Sequence, residues 1–216
     1  MIGPKMKQSS DWKDGFLFLG NQLTLDFLNT RLGRNGEPVE LLSDFSALLR
    51  WFQAADLLAS GKAASLHQQW GESARARRAV QAMRELREKL RKEIIAWESG
   101  GTAHHSAIDE LNGLMADHPM RTRLKASGSG SATELYFELR QPEDLFAPLA
   151  HSAAKLFAKV DRKRVRKCDE CLGYFHDTSK KRTRRWCSMQ LCGNRQKVAA
   201  YSARQRLRSG RITKRP

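Results

Sequence analysis

Apolar positions recur at three- and four-residue spacing through most of the first 160 residues, and that period predicts helices. The longest run, about 72–98, lines up Val80, Met83, Leu86, Leu90, Ile94 and Trp97, and Gly100 and Gly101 stop it. Arg/Lys alternates with Glu over the rest of this helix, which reads as a solvated face. Ser43 is a good N-cap for an earlier helix carrying Phe45, Leu48, Leu49 and Phe52, with Gly61 beyond its end. A third helix, about 104–117, presents Ile108, Leu111, Leu114 and Met115 and ends at Pro119. Pro142 opens another, to about residue 160, with Leu145, Phe146, Leu149, Ala153, Leu156 and Phe157 inward. Pro148 either kinks its first turns or delays its start.

Strand patterns are fewer. Residues 16–19, closed by Gly20 and Asn21, read as a short buried strand. Residues 23–30 set Leu23, Leu25, Phe27 and Leu28 around Asp26, Asn29 and Thr30, a spacing that fits strand or helix equally. Gly33, Asn35, Gly36 and Pro38 mark a turn or loop. Residues 121–125 and 133–140 flank a Ser/Gly stretch and read as a hairpin, or as one strand with a flexible lead-in. The expected class is α+β: a mostly helical N-terminal domain over 1–160 with a small β-sheet, then a different unit over 161–216.

Charge separates the two. Residues 161–216 hold 18 Lys/Arg against 4 Asp/Glu, whereas the preceding 160 hold 21 against 19. A nearly neutral body followed by a basic tail points to a polyanionic partner. No stretch approaches 18 apolar residues and the first ten residues lack an apolar core. The expectation is therefore a cytoplasmic, nucleoid-associated protein, neither secreted nor membrane-inserted.

All four cysteines lie in that basic tail, as Cys168-x2-Cys171 and Cys187-x4-Cys192. Two close pairs joined by a short spacer are what one tetrahedral zinc ion needs, each sulfur about 2.3 Å from the metal. With every position filled by sulfur, such a site is closed and structural. Four thiolates on Zn²⁺ leave the tail near a net of about +12, so the polyanion inference survives metal binding. Gly173 follows the second cysteine and permits a knuckle turn, residues 174–177 fit a short strand, and Trp186 can pack beside the metal. Cys192 begins the last helix. Knuckle, hairpin, then helix with ligands at its start is the layout of a treble-clef finger.

In that helix, about 194–208, Asn194, Val198, Tyr201 and Gln205 share one side, expected to rest on the finger or body. Lys197, Arg204 and Arg208 stripe one flank, and Arg195 and Arg206 the other. Lys180, Lys181, Arg182, Arg184 and Arg185 add a basic loop, so phosphate contacts would come from two elements. Neutralising about six phosphates gives a log K versus log[salt] slope of roughly −5. Residues 209–216 read as a frayed basic arm.

An enzyme is not expected. The chain has no HExxH pair, nucleophile motif, glycine-rich phosphate loop or dinucleotide fingerprint. A nuclease built on a treble clef would need an open metal, with only His176 and Asp177 to serve it. The one polar cluster inside an apolar run is Asp26, Asn29, Thr30 and Arg31. It reads as side chains capping a chain turn, or as a small effector pocket.

Arg185-Trp-Cys-Ser-Met189 followed by Cys192-Gly-Asn-Arg195 and Lys197 resembles the CGNR zinc-finger family, and Phe175-His-Asp-Thr-Ser179 fits that family's F-x-D-x-S pattern. Gly20-Asn-Gln-Leu-Thr-Leu-Asp-Phe-Leu-Asn-Thr30 is similar to the opening of the ABATE domain that precedes this finger. The resemblance implies a bacterial, stress-linked transcription regulator with an α+β N-terminal domain and a DNA-binding treble clef. It carries Cys168, Cys171, Cys187 and Cys192 over as ligands of one structural Zn²⁺. It gives Gly193 close packing at the helix start, and has Asn194 and Arg195 lock the finger or touch phosphate. Asp177 would cap the loop or orient Arg185. The expected partners are nucleic acid (DNA favoured over RNA), a small-molecule effector and a second copy of the chain. The alternative is an RNA- or ribosome-associated protein in which Tyr174, Phe175, Trp186 and Tyr201 stack on bases.

Overall fold

The computed structural model describes residues 11–34, 37–128 and 130–212, the side chains of 32–34, 37 and 208–212 excepted. The body is built on helices α1 (Leu23–Leu28), α2 (Phe45–Ala54), α3 (Ser60–Trp70), α4 (Ala74–Glu98), α5 (His105–Asp117) and α6 (Phe146–Lys159). The class is α+β as expected, but the described strands form separate two-stranded antiparallel hairpins instead of one sheet.

The first hairpin pairs β1 (Trp12–Lys13) with β2 (Phe16–Leu17). Asp14 and Gly15 between them both take positive φ, 48° and 81°, which is the twist a two-residue hairpin turn requires. Residues 23–28 resolve as helix and 29–30 as the turn that ends it, with the Gln22 side chain accepting from Thr24 N. The segment expected as a turn or loop is a second hairpin, β3 (Arg31–Arg34) with β4 (Glu37–Glu40); Asn35 and Gly36 lie outside the described residues.

Helix α2 is capped by Asp44, whose carboxylate accepts from Ala47 N at 2.8 Å, while Ser43 only donates its hydroxyl to Asp44. The expected cap was thus one residue early. Helix α3 was not anticipated: Gly61, read as a terminator, lies in its first turn, and only Ala63 and Leu66 are buried. Two inward residues in eleven leave almost no periodic signal. Helix α6 begins after a tight turn at Pro142–Leu145, so Pro148 sits near its start without kinking its middle.

The hairpin β5 (Arg121–Ser127) with β6 (Gly130–Tyr136) stands clear of the body. Leu135 is exposed, whereas Phe137 and Leu139 just beyond it return to the core.

The core gathers around Trp51, with Phe27 and Phe52 against its ring at 5.6 and 5.2 Å between centroids. Leu25, Leu28, Leu48, Met83, Ile94 and Leu156 close it. Each such side chain contributes roughly 1.5–3 kcal/mol on burial. Val165 and Tyr174, from beyond residue 160, belong to this same core. Conversely Leu17 and Leu19 lie among Cys168, Phe175, Cys187 and Cys192, with Trp12 and Trp186 packed alongside. Each part of the chain therefore completes the packing of the other.

Candidate metal centre and nucleic-acid interface

Strands β7 (Val165–Lys167) and β8 (Tyr174–His176) pair antiparallel, and the loop joining them carries Cys168 and Cys171. The knuckle is therefore the tip of the hairpin itself, where knuckle first and hairpin second had been expected. Its turn is closed by Cys168 N donating to Gly173 O at 2.8 Å and Leu172 N to Cys168 O at 3.0 Å. The residue that takes the left-handed conformation is Leu172, φ 60°, and not Gly173.

From β8 the chain enters an irregular segment organised by Asp177, which is fully buried. Its carboxylate accepts from Ser179 N at 2.9 Å and Arg184 N at 3.0 Å. Burial opposes its ionisation, yet those N–H groups and the Ser179 hydroxyl hold the carboxyl below its ordinary range. Asp177 caps the loop; Arg185 is oriented instead by Asp169, at 2.7 Å. Ser188 then caps the wide turn Met189–Gly193, accepting from Leu191 N and donating to Asp11. Helix α7 (Asn194–Ile212) follows.

These elements bring the four cysteine sulfurs within 4.8 Å of one another, with Cys187 Sγ 3.6 Å from both Cys171 Sγ and Cys192 Sγ. A tetrahedron with metal–sulfur bonds of about 2.3 Å has edges of about 3.8 Å, so the spacing fits one zinc ion. It is too long for a disulfide, whose sulfurs sit at about 2.05 Å. Cys168, Cys187 and Cys192 are buried and Cys171 is half-buried. Donation from the Cys171, Cys187 and Cys192 thiols drives the Cys168 thiol toward thiolate, and the same contacts push Cys187 and Cys192 up. Four sulfurs this close cannot all ionise without a cation between them. The site holds one Zn²⁺, which when bound supplies a structural cross-link with no open position.

Helix α7 is held at its start. Gly193 is buried, and Gln196 donates to Glu170 on the knuckle. Val198 and Tyr201, expected to rest on the finger or body, are 65% and 59% exposed, and Asn194 and Gln205 are exposed with them. Arg195, Lys197, Arg204 and Arg206 are exposed on it. The Arg208 side chain lies outside the described residues. Residues 209–212 continue the helix where a frayed arm had been expected; 213–216 lie outside the described residues.

The basic loop is less available than its composition suggested. Lys180 and Lys181 are exposed. Arg182 faces Asp161 at 3.4 Å, and Arg185 is held by Asp169. Arg184 lies over the Phe175 ring at 5.4 Å and donates to the Cys187 carbonyl, which makes it part of the finger's own framework.

Asp26, Asn29, Thr30 and Arg31 do not gather around a cavity. Asp26 accepts from Gly20 N at 2.6 Å, and burial lifts its pKa to about 6. Asn29 bonds the backbone of Tyr174, and Thr30 donates to Phe27 O at 2.7 Å. Arg31 pairs at the surface with Glu88, 3.3 Å away. Asp26, Asn29 and Thr30 are thus buried with these hydrogen bonds made, whereas Arg31 is half-exposed. Sequence reasoning missed Arg87, 1% exposed, which donates to Thr30, Glu40 and Glu88. Its position was legible: Met83, Arg87, Leu90 and Ile94 run along one stripe of α4 at helical spacing.

Comparison with known families agrees with this architecture. Residues 21–160 match the ABATE domain, described as "Putative stress-induced transcription regulator", and residues 164–205 match the CGNR zinc finger. No curated protein matches the chain. No helix among the described residues is long and apolar enough to cross a membrane. With most of its length matched by the one and its cysteine centre by the other, the chain belongs to the ABATE family of regulators that end in a CGNR zinc finger.

Proposed function

We propose that this protein is a non-enzymatic, DNA-binding transcription regulator. Zinc organises the finger, α7 enters a groove of the duplex, and the N-terminal domain senses a signal. The observation that carries this reading is the disposition of α7. At about 100° per residue, Asn194, Val198, Tyr201 and Gln205 fall within about 60° of one another. Lys197 and Arg204 flank that face on one side, Arg195 and Arg206 on the other. An exposed helix about 10–12 Å across suits a major groove about 12 Å wide. Its flanks then reach phosphates of both strands, and the side chains between them face base edges.

The RNA reading rests on aromatic stacking. Tyr174 and Phe175 are buried, which leaves Trp186 and Tyr201 and weakens that alternative. The fitting location is the bacterial cytoplasm, at the nucleoid, with self-association supplying a second half-site. Selection of the zinc-loaded protein against random duplex DNA, with single-stranded RNA as competitor, tests the reading. An enriched duplex motif that survives competition supports it. Absence of enrichment with efficient RNA competition moves the function to RNA.

A further inference from the structure

Clefts lined by Arg and Asp or Glu side chains are plentiful on this surface, as between α2 and α4 or along the outer face of α4. One differs in kind. Between the C-terminal end of α4, the start of α5 and the end of α6 lies a cleft of about 410 Å³ whose lining includes no charged side chain. That volume lies within the range of small-molecule sites, about 300–1,000 Å³. Trp97 and Phe157 form an aromatic corner in its wall, their rings edge to face at 5.5 Å. Leu111 lies beside them, and Ile108 leaves 42% of its surface exposed at the rim. Thr102 and Asn112 bring the polar groups.

We infer that this cleft is the effector site of the N-terminal domain, and that its ligand is an uncharged, largely aromatic small molecule with one hydrogen-bonding group. A charged ligand would find no counter-ion in this lining, and burying an unpaired charge is strongly unfavourable. An aromatic ring gains both apolar burial and edge-to-face contact with Trp97 and Phe157. Thr102 or Asn112 meets the ligand's single polar group, in a cleft otherwise lined by carbon.

The cleft is also tied to the finger. The loop from α4 to α5 lines it at Thr102 and Ala103, and Arg162 grips that loop by donating to Gly100 O at 2.9 Å and Gly101 O at 3.3 Å. Arg162 leads directly into β7 and Cys168. A ligand that orders the loop therefore steadies the strand that leads into the first zinc ligand, provided it binds the ordered form better. This inference rests on the N-terminal domain being the sensing part; it does not depend on DNA being the partner.

The test uses the full zinc-loaded chain and the neutral fluorescent probe N-phenyl-1-naphthylamine. Saturable binding at one site is expected. It should weaken at least tenfold in Ile108→Glu, which adds a charge at the rim, and in Ala158→Phe, which fills the cleft. Leu124→Glu, on the exposed β5 ribbon, should leave binding unchanged. Circular dichroism and zinc content verify that each variant folds. Saturating probe should slow zinc release to a chelator at least twofold in the wild type. In Arg162→Ala the probe should still bind, without changing that rate. No saturable binding, or binding that survives both cleft variants, would overturn the site. An unaltered zinc-release rate in the probe-saturated wild type would overturn the coupling while leaving the DNA-binding reading untouched.

Discussion

The side-chain amide of Asn29 bonds both backbone groups of Tyr174: Nδ2 donates to the carbonyl and Oδ1 accepts from the N–H, each at 2.9 Å. The residue that caps the C-terminal end of α1 thus substitutes for a neighbouring strand at the edge of β8. Gly20 extends the same joint, accepting from His176 N at 2.8 Å while donating to Asp26. A Cβ at Gly20 would lie 2.7 Å from Asp26 N, so only glycine allows so close an approach. Replacing Asn29 with Ala strands two buried backbone groups at about 1–3 kcal/mol each. The expected loss is about 2–6 kcal/mol in chemical denaturation, with weaker zinc binding in parallel.

That joint changes what zinc removal should do. Read from sequence, a separate tail would unfold on chelation and leave the body intact. Because Val165 and Tyr174 sit in the body core, and Leu17 and Leu19 among the cysteines, chelation should also lower the thermal midpoint of the body. Hydrogen exchange should locate the added opening at β1–β2 and α1. A body midpoint unmoved by chelation would show that the shared packing carries little stability.

Arg87 makes a second sharp test. Its guanidinium is buried and bonds Thr30 and both carboxylate oxygens of Glu40. Truncating one partner of a buried pair typically costs about 3–5 kcal/mol, so Arg87→Ala should destabilise by about that much. Replacing Arg87 and Glu40 together with apolar residues should recover much of the loss. Equilibrium unfolding of the single and double variants measures both.

Asp26 supplies a pH dependence of known sign. Its folded pKa of about 6 exceeds the ordinary value of 3.8 because burial disfavours the carboxylate. The stability it contributes is present in full below the unfolded pKa and is lost as pH rises through about 6. The full swing is about 3 kcal/mol. Relative to Asp26→Asn, which retains an oxygen for Gly20 N, the wild type should therefore gain stability between pH 7.5 and 5.5. Parallel stability curves for the two proteins would contradict the burial account.

Much of the fold was legible because periodicity reports burial. Helices α4, α5 and α6 each present apolar residues at regular spacing and were located within a few residues. Helix α3 was not, since two inward residues make no pattern. The strand expected at 16–19 is there as β2, but its partner β1 was missed although Asp14-Gly15 is a strong turn signal, because a strand of two residues has no period to detect. The metal centre was legible from cysteine spacing alone, which is local chemistry. The roles of Asn29, Asp26 and Arg87 were not, since their partners lie between 6 and 145 residues away. The solvated face of α7 was misassigned for the opposite reason: a stripe bearing Val198 and Tyr201 resembles a packing face, yet both side chains are exposed.

The most direct test of the α7 reading is the salt dependence of duplex binding. It compares the wild type with Lys197→Ala/Arg204→Ala and with Arg195→Ala/Arg206→Ala. Each lost phosphate contact removes about 0.9 from the slope of log K against log[salt]. Each double variant should therefore bind more weakly and flatten the slope by about 2, irrespective of duplex sequence. A slope unchanged in both variants would remove α7 from the interface and contradict the proposed mode of recognition.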